Sequence, residues 1–135
     1  MEAACGNKDA ANWTAMYCLW AHFLDDIIDE ADMMTAENIT KSNIMMMNLC
    51  VDNWFLAHRA ELFHVVQLTV ALWQQSNEWA KSKDSWKQLE GEWLRCSGNL
   101  LICVVSNICG GYEAMRTITP KLLELSYKHQ KQENS

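Results

Sequence analysis

Apolar residues return at three- and four-residue steps along most of the chain, the spacing of helices that bury one stripe. Trp13, Tyr17, Trp20, Leu24, Ile27 and Ala31 form such a stripe and predict a helix from about Asn12 to Met33. Thr35 reads as the N-cap of a second helix through AENITKSNIMMMNLC, since its hydroxyl is placed to accept from a backbone N–H one turn ahead. A third helix is expected from Asn53 to Lys81, with Trp54, Leu62, Val65, Val66, Leu68, Leu72 and Trp73. These positions wrap more than half its circumference, which predicts the central and most buried helix.

Ser85 with Gln88 has the form of a capping box and opens a fourth helix. That helix is expected to turn Trp86, Leu89, Trp93, Leu100, Cys103 and Val104 inward. GG at 110–111 is expected to end or kink it. TP at 119–120 signals the start of a short last helix, because proline suits the first helical position. Glycine is missing from 7 to 90, and no run alternates in the manner of a strand. The fold expected is all-α, a compact bundle of four to five helices in one domain spanning 1–135, with 1–11 and 130–135 flexible.

Composition agrees: 50% hydrophobic and 21% charged residues over 135 positions describe a globular chain with room for one sizeable core. A net charge of −6 with scattered basic residues argues against a nucleic-acid partner, which needs clustered Lys and Arg. The longest apolar run, LLICVV at 100–105, falls far short of a membrane span, and MEAACGNKDA lacks the form of a signal peptide. The six cysteines form no CxxC pair and sit mostly in apolar helical runs, so a reduced, cytoplasmic setting with no membrane partner is expected.

The candidate chemistry lies in CLWAHFLDDIIDE, residues 18–30. On a helix, Asp25 and Asp29 form one column and Asp26 and Glu30 another, with His22 one turn before them on the same face. Like charges at this spacing repel. The face is then either simply solvated or neutralised by a cation, and no lysine or arginine lies one turn away in sequence. Mg²⁺ suits such a face, since it uses one or two carboxylates, keeps several waters and takes further ligands from substrate phosphates.

DDIIDE resembles the first aspartate-rich motif, DDxxD, of the all-helical isoprenoid synthases, and most nearly the squalene and phytoene synthase branch. The resemblance covers residues 25–30 only. It implies Mg²⁺ held by Asp25, Asp26 and Asp29, with Glu30 in support and a diphosphate as ligand. In architecture the chain is also similar to the all-α nucleoside triphosphate pyrophosphatases. Asp26 with Asp29, or Asp25 with Asp29 and Glu30, would stand in for the first acidic motif of that family. Its second motif has no counterpart, Leu49 standing before Asp52 and His64 after Glu61.

A second candidate cluster is HRAELFH at 58–64, which places His58, Glu61 and His64 at i, i+3 and i+6. Glu-x-x-His on a bundle helix is half of a di-iron type site, and this donor set suits Mn, Fe or Zn better than Mg. A buried hydrogen-bonded polar pair is the structural alternative. Seven tryptophans and the MMM run at 45–47 read as core, as the lining of an apolar ligand cavity, or as an interface of a homo-oligomer.

The leading expectation is a Mg-dependent helical-bundle protein that binds, hydrolyses or transfers a small diphosphate-bearing molecule. Asp25, Asp26 and Asp29 hold the metal in this reading, while His22 and Glu30 act on water or phosphate. The alternatives are a non-enzymatic helical self-assembly protein, possibly of phage type, and a carboxylate–histidine transition-metal protein.

Overall fold

The computed structural model describes residues 2–133, all of them helix or short connection with no strand. The tail expected to be flexible lies partly outside the described residues. The helices are α1 (Lys8–Asp29), α2 (Ala36–Val51), α3 (Asn53–Ala57), α4 (Arg59–Trp79), α5 (Ser85–Leu94) and α6 (Gly98–Glu133). Five of them run ten residues or more, as the all-α expectation requires. The chain divides into two compact units, Gly6–Arg59 and a second that joins Met1–Cys5 to Ala60–Ser135.

The amino-terminal unit follows the sequence pattern. Asn7 caps α1, its side chain accepting from the Ala10 N–H at 3.0 Å, so the helix begins earlier than the apolar stripe suggests. Trp13, Tyr17, Trp20 and Ile27 are buried, while Ala31 falls past the helix end in a 3₁₀ turn, Ala31–Met33. Thr35 caps α2 as expected, accepting from Asn38 N–H at 3.2 Å.

The centre of this unit is Trp13. Its ring lies 5.4 Å from Phe55, 5.7 Å from Trp54 and 5.9 Å from Tyr17. Its indole N–H donates to the Leu49 carbonyl at 3.1 Å, satisfying one of the carbonyls that α2 leaves without an intrahelical partner. Asp52 then caps α3 through Phe55 N–H at 3.1 Å.

The expected helix from Asn53 to Lys81 is broken. The chain leaves helical geometry at His58 (φ −118°, ψ 21°), although no glycine or proline stands nearby. Its first turn carries Trp54 and Phe55 into the aromatic core, and packing there overrides the helical preference of the run. Nor is α4 the most buried helix. It buries only Leu62, Thr69 and Ser76, seven residues apart, and leaves Phe63 and Leu68 exposed.

In the second unit α5 packs against α4 at Gly91. Gly91 is buried there, and a Cβ at that position would stand 3.4 Å from the Ser76 carbonyl oxygen and from Trp79 Cβ, so this side of α5 lies against the end of α4. This reverses the expected orientation: Trp86, Leu89, Trp93 and Leu100 are exposed. The capping box is absent too. Asp84 occupies the cap, Ser85 is the first helical residue, and the Gln88 amide donates to the Ser82 carbonyl at 2.7 Å.

α6 changes direction at Gly111, whose φ of 78° lies in the region open mainly to glycine. The arms 98–110 and 112–133 fold back on each other. The Asn99 amide donates to the Ser126 hydroxyl, and Cys103 Sγ is 3.6 Å from Thr119 Oγ1. In a straight helix residues 99 and 126 would stand about 40 Å apart. Leu101, Val105 and Ile118 are buried. The second arm therefore starts well before the expected TP signal and carries Pro120 inside it. A 3₁₀ turn at Glu2–Ala4 docks on α6, burying Ala3 and Ala4 and pairing the Glu2 carboxylate with the Lys121 ammonium.

By length and composition alone, Ser85–Lys128 includes a stretch apolar enough to cross a membrane, with 22% of it buried. That stretch is interrupted at 95–97 and reversed at Gly111, so neither arm offers the roughly 20 predominantly apolar residues of a span.

Candidate functional site

The acidic motif occupies the last turns of α1. Ile27 turns inward, Asp25 is half-buried, and His22, Asp26, Asp29 and Glu30 are exposed. The helix stops at Asp29. Glu30 adopts an extended conformation (φ −111°, ψ 110°) and donates its N–H to the Asp26 carbonyl at 2.9 Å. It thus stands beyond the helix and does not continue the column begun by Asp26. The three aspartates lie at the negative end of the helix dipole, where anions are disfavoured, and the last turn contains no basic residue.

A cation does reach this part of α1 from another helix. Lys41 of α2 sets its ammonium 5.0 Å from the centroid of the Phe23 ring. Sequence spacing along one helix had no means of showing it. Among the described residues, no group of three or more His, Cys, Asp or Glu side chains is placed to hold a metal ion.

The second cluster loses its helical register. His58 closes α3, half-buried, its ring 5.0 Å from Trp54, whereas Glu61 and His64 are exposed on α4. The i, i+3, i+6 spacing required one continuous helix, and the break at His58 removes it. Burial pushes the Cys18 thiol up, and burial with the neighbouring Cys5 does the same at Cys109, the opposite of an activated thiolate.

What the sequence reading missed is the outward face of α5. Trp86, Leu89 and Trp93 stand at i, i+3 and i+7 on one side of the helix and face solvent. α2 has a similar face in the other unit, with Ile44, Met47 and Val51 exposed at the same spacing. Gly91, the buried residue of α5, lies on the opposite side, against Ser76 and Trp79 of α4.

Comparison with known proteins finds no family model, no curated protein and no solved structure that matches the chain.

Proposed function

We propose that this chain is a helical self-association module, a non-enzymatic protein that works as a homo-oligomer. One observation carries the reading: each unit has a helix whose solvent side bears large apolar residues at three- and four-residue spacing, on α2 and on α5. Single exposed apolar side chains are ordinary, but aligned sets mark surfaces that something covers. Equilibrium sedimentation of the full chain tests it. The expected result is a concentration-dependent mass above that of one chain. A single-chain mass at every concentration, up to the limit of solubility, sinks the proposal.

The acidic end of α1 favours a second reading, in which one or two of Asp25, Asp26 and Asp29 hold a hydrated Mg²⁺ and through it a small phosphorylated ligand, in the manner of the isoprenoid synthases that the motif resembles. The supporting observation is three carboxylates at the unfavourable end of a helix dipole, a charge that a divalent cation relieves. A ligand that binds only the folded chain raises its melting temperature. Mg²⁺ with pyrophosphate should therefore raise Tm in the wild type and not in Asp25→Asn/Asp29→Asn. Equal Tm with EDTA, Mg²⁺ plus pyrophosphate, and Mn²⁺ rules this reading out.

A further inference from the structure

The first turn of the chain carries a cysteine onto α6 beside another. We propose that Cys5 and Cys109 form a redox-sensitive pair: exchange with a small-molecule disulfide such as oxidised glutathione joins them, and the bond fastens the turn at residues 2–4 to the first arm of α6.

The backbone and the helix surface bring the sulfurs together. Cys5 closes the turn that docks on α6, its N–H donating to the Glu2 carbonyl at 3.0 Å. Its φ of 53° is left-handed, a conformation that a residue with a side chain enters at a cost and keeps only where its surroundings hold it there. The thiol is seated against Gly110. A Cβ on Gly110 would stand 2.6 Å from Cys5 Sγ, closer than packed atoms approach, and 3.6 Å from Cys5 Cβ. The second distance falls in the Cβ–Cβ range of a disulfide, about 3.5–4.5 Å. Cys109 is the adjoining residue of the helix, its Cα about 3.8 Å from that of Gly110. The two thiols already sense each other, since Cys5 adds to burial in pushing the Cys109 thiol up. Gly6 follows Cys5 and Gly111 lies two positions beyond Cys109. Both have positive φ and nothing within 4 Å of where a Cβ would stand, so the last adjustment of the backbone meets no obstacle.

Exposure sets the order of events. Cys5 is exposed and Cys109 half-buried, so an incoming disulfide meets Cys5 first. The Cys5 thiol loses its proton to water and attacks one sulfur of the small disulfide. That S–S bond breaks, a mixed disulfide forms on Cys5, and one small thiol leaves. Cys109, deprotonated in turn, attacks the Cys5 sulfur of the mixed disulfide and releases the second small thiol. Two protein thiols are oxidised to one disulfide, and one small disulfide is reduced to two thiols. Proximity drives the second step, since the Cys109 thiol is not activated. Cys50, also exposed, lies in the other unit beside the Met46 sulfur at 3.7 Å, a thioether that forms no disulfide. The new bond closes the chain between residues 5 and 109, and a loop of that length strongly restricts the unfolded state.

The test equilibrates the full wild-type chain with graded ratios of reduced and oxidised glutathione. Remaining thiols are blocked with an alkylating agent, and links are mapped by digestion and mass spectrometry. The expected product is a single chain in which the Cys5 and Cys109 peptides are joined, its fraction following the glutathione ratio. The oxidised chain should melt roughly 10 °C above the reduced one. That gain should vanish with dithiothreitol and in Cys109→Ser, and persist in Cys103→Ser. Gly110→Ala, whose Cβ would displace the Cys5 sulfur, should slow closure several-fold. Oxidation that stops at glutathione on Cys5, links another pair, or joins two chains through Cys5 overturns the proposal. So does a Cys5–Cys109 link that leaves Tm unchanged.

Discussion

The two units use tryptophan in opposite ways. Trp13, Trp20 and Trp54 of the amino-terminal unit are all buried, Trp54 tilted against Trp13 and Trp20 against Tyr17. Of the four in the other unit, Trp73 and Trp79 are half-buried, and Trp86 and Trp93 are exposed. That unit is filled instead by Leu62, Leu101, Val105 and Ile118 with Thr69, Ser76, Ser97, Ser106 and Ser126. Its buried hydroxyls find acceptors nearby: Ser76 donates to the Trp73 carbonyl at 2.6 Å, Ser97 to that of Thr69 at 3.3 Å, and Ser126 to that of Leu122 at 3.0 Å. Small residues let helices approach closely and leave no room for indoles, which are then turned outward. The same residue type at the same helical spacing therefore reports core in one unit and surface in the other.

The largest expected effect separates these two environments. Trp13→Ala empties the centre of an aromatic core and strands the Leu49 carbonyl, and should cost about 3–5 kcal/mol in denaturant unfolding. Trp93→Ala, measured below the concentration at which the chain associates, should fall within roughly 0.5 kcal/mol of wild type. A loss at Trp93 comparable to that at Trp13 would mean that Trp93 has a core partner, and the contrast between the units fails.

A smaller effect sharpens the picture inside the aromatic core. The indole N–H of Trp13 is hydrogen-bonded, whereas that of Trp54 is buried with no partner. Trp13→Phe removes a made bond and leaves a buried carbonyl, at a cost of about 1–3 kcal/mol beyond the change in ring size. Trp54→Phe removes an unmade one and should cost distinctly less, or stabilise. Equal costs by chemical denaturation would show that the N–H of Trp54 has a partner after all.

How much was legible follows the same division. In the amino-terminal unit the stripe from Trp13 to Ile27 and the cap at Thr35 were plain, because the largest residues face the core and polar caps announce the helix ends. In the other unit the pattern pointed the wrong way at Trp86, Leu89 and Trp93. A reading by hydrophobicity gives no weight to Gly91, the residue of α5 that is buried against α4. The break at His58 has no local cause and is imposed by where Trp54 and Phe55 pack. The hairpin of α6 was half legible: GG marked the position, but only the contacts of Asn99 with Ser126 and Cys103 with Thr119 show that the chain turns back. At the acidic motif the residue types and helix were readable, while the end of α1 at Asp29 and the approach of Lys41 depend on tertiary structure.

The docking of residues 2–4 on α6 has a consequence for how the chain is made. Glu2 and Lys121 are 119 positions apart, so a segment made before residues 6–59 belongs to the unit that is completed after them. The rings that meet Trp13 come from Tyr17, Trp54 and Phe55, all of them made before α6 in a synthesis that proceeds at about 5–20 residues per second. The 3₁₀ turn that buries Ala3 and Ala4 therefore lacks its docking surface until α6 has been made.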